Sequence, residues 1–557
     1  MQSVAKLGRS LAAALALSVI AAAPSAAGAV DGAVRAVVSS GESARVIMQF
    51  TTAAERDDAF NRLLDRGAAV RAVDTEAGPG LVVFGSASTF APEIGRARHV
   101  SLDAGVRVLG ATPARDTSAR RSNGIGQAPA TIAPSRNGIA VAIVDSGIAP
   151  HADLPLSRIR AYKDFVNGGR LPVDHCGHGP HVAGIVAGNG AMSNGLYAGI
   201  APAADIVALR VLGDDCTGNT SDVIDALEWI ARNHVAYKIK VVNLSLGHGV
   251  LESIFTDPLV QAVERLSRKG IAIVTAAGNR GQDPANDDPP GYGGVGVPCN
   301  APSAICVGSL DTQGTPQISD DRVSDSSSRG PTRFDLLAKP DLVAPGVNIV
   351  SLAARGSRLF NEFPHLRVAG ARGPDYFTLS GTSMASPAVA GAAALLLRDN
   401  RGLSVHALKI ALQFTARLLP QTDVLAQGAG ALNITGARTL ADAINPNVPL
   451  GANWIRHRLT AQNQDAAGNT IAWSRRIIYG DRFVQPRFAE MRLFRWSDDL
   501  VWAYDVLAGQ IDWANQSGDN IVWGNDDNIV WGNDDNIVWG NDDNIVWGND
   551  DNIVWGN

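Results

Sequence analysis

From residue 138 onward the chain alternates short, predominantly apolar runs with helical stretches. The runs at 139–144, 206–211, 241–246, 271–276 and 305–307 carry apolar residues on both faces of an extended chain. Helical patterns at 182–187, 221–233 and 258–269 lie between them. A strand that is apolar on both faces must be covered on both faces. A helix between two such strands is the crossover that a parallel pair requires. The pattern predicts an α/β unit of three layers, with a mostly parallel central sheet. Sheets of this kind place their chemistry in the loops at the carboxyl ends of the strands.

The 557 residues exceed one domain of about 150 residues. Hydrophobic residues at 46% and charged residues at 18% give a globular composition with material for a large core. A formal net charge of -6, with no basic block, excludes nucleic acid as a partner. Residues 1–29 read as a signal peptide. Lys6 and Arg9 precede an apolar run at 11–23, and Ala27-Gly28-Ala29 forms a small-x-small cleavage site. The run falls short of the roughly 20 residues that span a bilayer. A secreted, monomeric chain without a transmembrane segment after signal cleavage is expected. In an oxidising compartment Cys176, Cys216, Cys299 and Cys306 form disulfides, and four cysteines allow three pairings.

The flanks differ in kind. Residues 30–115 read as a small α+β unit, with strands at 46–50 and 81–84, a helix at 53–66 and an apolar stretch at 100–109. Residues 111–137 lack periodicity and contain Arg120-Arg121, as a linker or processing region would. Alternation ends near Ala443, and residues 444–517 carry no assignable motif. Residues 518–557 repeat with period eight, the full unit DDNIVWGN recurring at 526–533, 534–541, 542–549 and 550–557. An even period puts Ile and Trp of every copy on one strand face, and Gly-Asn-Asp-Asp is turn chemistry. Hairpin arms, solenoid rungs or a replicated tail without a fixed fold all suit it.

Three motifs flank the predicted strands. Asp145 ends the run in VAIVDSGI, His178 lies in DHCGHGPHVAG, and Ser383 opens an apolar helix in LSGTSMASPAVAGAAALLL. Each residue has an ordinary structural use: a turn, a core histidine, a helix cap. Together they meet one chemical need. A serine hydroxyl is a weak nucleophile and needs a base, and the base needs a partner that fixes its tautomer and supports its charge. The chain order Asp, His, Ser is one of three known for such triads.

Over roughly 138–443 the sequence resembles the subtilisin-like serine peptidases. The resemblance rests on Asp145-Ser146-Gly147, on His178-Gly179-x-His181-Val182-Ala183-Gly184 and on Gly381-Thr382-Ser383-Met384-Ala385-Ser386-Pro387. Gly199-Ile200-Ala201-Pro202 and the segment from Lys339 to Gly346 add to it. It implies a subtilisin-like peptidase domain over 116–443 that acts on proteins or peptides, with broad specificity and no cofactor in the chemistry. Ser383 would be the nucleophile, His178 its base and Asp145 the orienting carboxylate. Asn279 would join the Ser383 backbone N–H in an oxyanion hole. Ser245, Leu246 and Gly247 would pair with an extended substrate, and Ala276, Ala277 and Gly278 would line the first specificity pocket. Cys176 would pair with Cys216 and Cys299 with Cys306. Asp153 resembles a calcium ligand of some relatives, as a structural ion. Residues 30–115 resemble an inhibitory propeptide, an intramolecular partner removed by a cut between residues 109 and 125. Pro180 stands where the family has Thr. Proline is tolerated in a first helical turn, so the helix is expected to form without the threonine hydroxyl. His175-Cys176 before Gly-His is a second departure from the family, and His175, His178 and His181 beside a cysteine are residue types that can ligate zinc.

Overall fold

The computed structural model describes residues 29–75, 78–109, 138–281 and 291–446, several stretches between 456 and 484, and five short strands in the repeats. Residues 1–28 of the expected signal peptide, and 111–137 with Arg120-Arg121, lie outside the described residues. The chain divides into two compact units, Met1–Asp103 and Ala104–Asn557.

In the first unit, strands run in the order Ala29–Val30, His99–Leu102, Ser43–Gln49, Gly78–Ser86, Ala69–Thr75. Val46, Met48, Leu81 and Val83 alternate along paired strands and are buried with Ala59, Leu63 and Phe90. Helix Ala53–Asp65 starts at Thr52 in a reciprocal cap. The Glu55 N–H donates to Thr52 Oγ1 at 3.2 Å and the Thr52 N–H to Glu55 Oε2 at 3.1 Å. Strand Ala69–Thr75 has no apolar run to announce it: it is a sheet edge that leaves Arg71 exposed. The apolar stretch at 100–109 is not one element. His99–Leu102 belongs to this sheet, whereas Gly105–Val108 lies in the second unit.

The second unit is built on an eight-stranded sheet. Its central order is Ala272–Ala276, Ile239–Leu244, Ala140–Asp145, Asp205–Arg210, Ile159–Asp164, all parallel. Ile305–Asp311 and Leu342–Pro345 extend it in parallel, and Arg322–Val323 closes one edge antiparallel. Helices His178–Ala187, Thr220–Tyr237 and Pro258–Arg268 are among the connections. All six residues of Ala140–Asp145 are buried, as a central parallel strand requires. Helix Thr382–Asp399 is buried along residues 382–397, which explains why its sequence is apolar all round rather than striped. No helix among the described residues is long and apolar enough to cross a membrane.

Strands of the repeats pair in parallel, two units apart. Ile521–Trp523 pairs in register with Ile537–Trp539, and that with Ile553–Trp555, while Val530–Trp531 pairs with Val546–Trp547. Hairpin arms would pair antiparallel and with the next copy. Parallel pairing with the copy two units on is what stacked rungs, not hairpin arms, would make.

Candidate active site

Asp145, His178, Asn279 and Ser383 all sit at element ends. Asp145 is the last residue of Ala140–Asp145, His178 the first of His178–Ala187, Asn279 lies just past Ala272–Ala276, and Ser383 is second in Thr382–Asp399. Strand ends and helix starts converge on one edge of the sheet, so residues far apart in sequence meet there.

His178 and Asp145 are fully buried and joined twice, His178 Nδ1 lying 2.8 and 3.0 Å from the Asp145 carboxylate oxygens. A carboxylate only accepts, so Nδ1 carries the proton and Nε2 offers a lone pair. Nε2 is buried and has no partner. Two glycines let the Asp145 and His178 loops close on each other. A Cβ on Gly179 would fall 2.2 Å from Gly147 O, and one on Gly147 would fall 2.1 Å from Val173 O.

A second carboxylate, Asp174, braces the same loops. It accepts from the Ser146 hydroxyl at 2.7 Å and from the N–H groups of Gly177 and Gly179 at 2.5 and 3.1 Å. The Ser146 hydroxyl also lies 3.1 Å from Asp145 Oδ1. Burial pushes Asp174 up to about 6, against the pull of these donors. Sequence reasoning passed over Asp174; its signal was a buried-type acid four residues before His178. Pro180 sits in the first helical turn, and the helix forms around it.

Around Ser383 a proline shapes the geometry. Pro387 has no N–H to offer the carbonyl four residues back, which is that of Ser383. Ser245 Oγ lies 3.0 Å from that carbonyl and 2.9 Å from Ser386 Oγ. The Ser383 hydroxyl itself donates to Ser245 O at 2.9 Å, not to His178. Asn279 Oδ1 accepts from the Thr382 N–H at 3.0 Å and from its hydroxyl at 3.1 Å. A backbone N–H can only donate, so the Asn279 amide is oriented with its NH2 group turned away from Thr382.

The groove beside Ser383 holds a strand of the chain itself. Gly105–Val108 lies antiparallel between Thr217–Asn219 and Leu246–Gly247, with Leu246 opposite Val108 and Gly247 opposite Arg107. The next residue, Leu109, donates its N–H to Ser245 O at 3.2 Å and accepts on its carbonyl from the Ser383 N–H at 2.9 Å. Its side chain lies at Gly247, where a Cβ would come within 3.2 Å of Leu109 Cδ1. Ser245, Leu246 and Gly247 thus border an extended segment. Thr217–Asn219, the opposite border, was not singled out from sequence because Thr-Gly-Asn in a turn-rich stretch carries no strand signal. Ala276 and Ala277 are buried at the end of their strand, and Gly278 follows with φ 114°.

The structure joins Cys176 to Cys216 and Cys299 to Cys306, with Cα atoms 5.2 and 4.9 Å apart. Cys176 is therefore spoken for as a disulfide, not a zinc ligand. His181 is a core residue: its Nε2 lies 3.1 and 3.0 Å from Ile349 O and Phe377 O, and burial, then the nearby His178 charge, pushes it down to about 3. Asp153, the calcium candidate, is buried. Its two oxygens accept from the Met192 N–H at 2.8 Å and the Tyr376 hydroxyl at 2.5 Å, whereas calcium takes six to eight oxygens. Among the described residues no group of three or more His, Cys, Asp or Glu could hold a metal ion.

Residues 136–437 match the model of the subtilase family. The chain belongs to the subtilase family. It is 40% identical to the serine protease AprX of Bacillus subtilis over 301 residues, 53% of this chain and 65% of AprX. It is 33% identical to subtilisin Savinase of Lederbergia lenta over 302 residues, 54% of this chain and 91% of Savinase. Fervidolysin from Fervidobacterium pennivorans, a keratinolytic enzyme related to subtilisin, superposes with a TM-score of 0.54 at 20% identity, covering 71% of this chain and 61% of that one. The fold of this subtilase is thus subtilisin-like, a mostly parallel sheet between helices. The family match covers the peptidase portion alone and leaves the first unit and the repeats of this subtilase outside it.

Proposed function

We propose that the chain is an exported serine endopeptidase made as a zymogen, and that its first cut falls after Leu109. The bond from the Ser383 N–H to Leu109 O carries this reading. It places the carbonyl of an extended segment beside the serine, on the side where negative charge would develop. Residues up to 109 then act as the inhibitory partner. The mature enzyme works as a monomer on protein substrates of broad sequence, without a cofactor, because the groove contacts on Gly105–Leu109 are largely to backbone. That pairing also favours peptides over simple esters.

The chemistry follows from the groups in place. The Ser383 hydroxyl swings from Ser245 O toward His178 Nε2. As Oγ attacks the carbonyl carbon, its proton passes to Nε2, and Asp145 holds the imidazolium that results. The carbonyl oxygen, now negative, is met by the Ser383 N–H and the Asn279 amide. His178 returns the proton to the departing amine, leaving an acyl ester on Ser383. Water, deprotonated by His178, then hydrolyses that ester.

Casein cleavage by the purified protein and by Ser383→Ala is the test. The substitution should lower turnover about a million-fold, the scale known for subtilisin itself, and leave the bond between residues 109 and 110 intact by mass spectrometry. Full activity in the variant would refute the assignment.

A further inference from the structure

The loop of His178 and the border strand Thr217–Asn219 are joined twice, once covalently and once through a third segment. The disulfide Cys176–Cys216 spans 40 residues of sequence. Cys176 stands two residues before His178, and Cys216 stands directly before Thr217–Asn219. Cys216 is held at φ 68°, in the left-handed region that residues with a side chain seldom enter. Its N–H donates to Gly213 O at 3.0 Å, and the Gly213 N–H donates to Thr217 O at 2.7 Å. The Cys216 carbonyl accepts from the Val108 N–H at 3.4 Å, so the bridged residue itself meets the strand in the groove.

The second link comes from residues 353–366, an excursion between strands Ile349–Leu352 and Arg367–Gly370 that contains the short helix Arg358–Glu362. The Arg358 N–H donates to His175 O at 2.7 Å and the Leu359 N–H to Cys176 O at 3.0 Å. The Arg358 guanidinium reaches the other wall, where Nη1 donates to Asp215 O at 3.1 Å, while its Nε donates to Glu362 at 2.9 Å. Arg358 thus holds the His178 loop with its backbone and the border turn with its side chain. Gly177 permits the approach, since a Cβ there would fall 2.3 Å from Ser357 Oγ. The excursion is anchored in turn. Leu359 and Phe360 are buried, and Arg367 donates twice to Phe360 O, at 2.9 and 2.7 Å. A bond from an exposed guanidinium adds little to stability by itself. What it shares with the disulfide is the distance that both fix, from the border strand to the loop of the proposed base.

We infer that Arg358 and the Cys176–Cys216 disulfide form a clasp of positioning residues, which sets the Thr217–Asn219 wall against His178 so that substrate bound along the wall is converted into turnover. The inference rests on the reading of Gly105–Leu109 as a substrate-like strand. Contacts remote from the cut bond speed a reaction only when they are fixed relative to the reacting atoms. A wall free to drift still pairs with a peptide but no longer sets its carbonyl against Ser383. Opening the clasp therefore lowers kcat more than it raises KM, and only for substrates long enough to reach the wall.

The experiment compares two chromogenic amides on the mature enzyme. One carries the sequence of residues 105–109, which reaches the wall, and the other carries acetyl-leucine, which does not. In the wild type kcat/KM for the long substrate should exceed that for the short one by about a hundredfold. Arg358→Gln should cut this advantage about threefold, and Cys176→Ser with Cys216→Ser about tenfold. The triple variant should lose more than the product of the two, because each link covers for the other. A ratio of two substrates does not depend on how much variant protein folds. Equal losses on both substrates would make the clasp a scaffold only. An advantage that survives in all three variants, or a loss confined to KM, overturns the inference. If the wild type cuts casein but gains nothing from the longer amide, the reading of the bound strand itself fails, and the clasp with it.

Discussion

The two halves of the candidate catalytic centre are built differently. The His178 half is locked. Both side chains are buried, Nδ1 is bonded twice to Asp145, the disulfide Cys176–Cys216 lies two residues from His178, and Asp174 ties Ser146, Gly177 and Gly179 into one cradle. The Ser383 half is poised. Its hydroxyl is parked on Ser245 O and its N–H is taken by Leu109. The proposed base, His178, is held by Asp145 whatever lies in the groove, whereas the N–H of the proposed nucleophile, Ser383, is engaged by the strand that fills it. Rigidity is placed where a tautomer must be held, and freedom where an oxygen must turn.

The sharpest way to probe the poised half is Asn279→Ala. Loss of a donor that acts only on the developing oxyanion should lower kcat by about 100- to 1,000-fold while KM stays close to its starting value, the scale of the same type of donor in subtilisin. A rise in KM with kcat intact would assign Asn279 to substrate binding instead. A smaller effect is expected in the locked half. Asp174→Asn keeps the side-chain shape but removes a charge that braces the loop, and should lower kcat/KM about tenfold. Because Asp174 faces His178 as well as Asp145, the acid limb of the pH profile should move to lower pH. An unshifted limb with a merely less stable protein would make Asp174 a scaffold residue.

The smallest expected effect concerns stability rather than rate. His181 is pushed down to about 3 by burial, so between that value and the ordinary 6.5 the unfolded chain binds the proton and the folded chain does not. Its contribution is complete above about 6.5 and is lost as pH falls toward 3. Asp174, raised to about 6, works with the opposite sign, its contribution falling as pH rises from about 4 to 6. Over the shared window from about pH 4 to 6 the two oppose each other, so the His181 contribution is read as a difference between wild type and variant, with a slope of up to about 1.4 kcal/mol per pH unit. On going from pH 7 to pH 4 the wild-type denaturant midpoint should lose ground relative to that of His181→Gln, and an unchanged difference between the two would remove His181 from the acid response.

Much of the fold was legible because burial leaves a direct mark on sequence. A strand covered on both faces must be apolar throughout, so the runs at 139–144 and 271–276 announced Ala140–Asp145 and Ala272–Ala276 within a residue. Edge elements leave no such mark. Ala69–Thr75, Thr217–Asn219 and Ile159–Asp164 keep polar faces and read as loop. The stretch at 100–109 misled in another way, since two strands from different sheets share one apolar run across only two residues.

Asp145, His178 and Ser383 were fixed as candidates by residue type, chain order and motif, because the chemistry of a weak nucleophile admits few partners. What the sequence could not say is which atoms meet. The unpartnered Nε2, the hydroxyl turned to Ser245 O, the engagement of Asp153 by Met192 and Tyr376, and the strand that places Leu109 on the Ser383 N–H all depend on contacts between residues tens to hundreds of positions apart. Local chemistry selects the residues. Only the closing of the loops over the sheet edge sets their distances, and hydrogen bonding and charge are decided by distance.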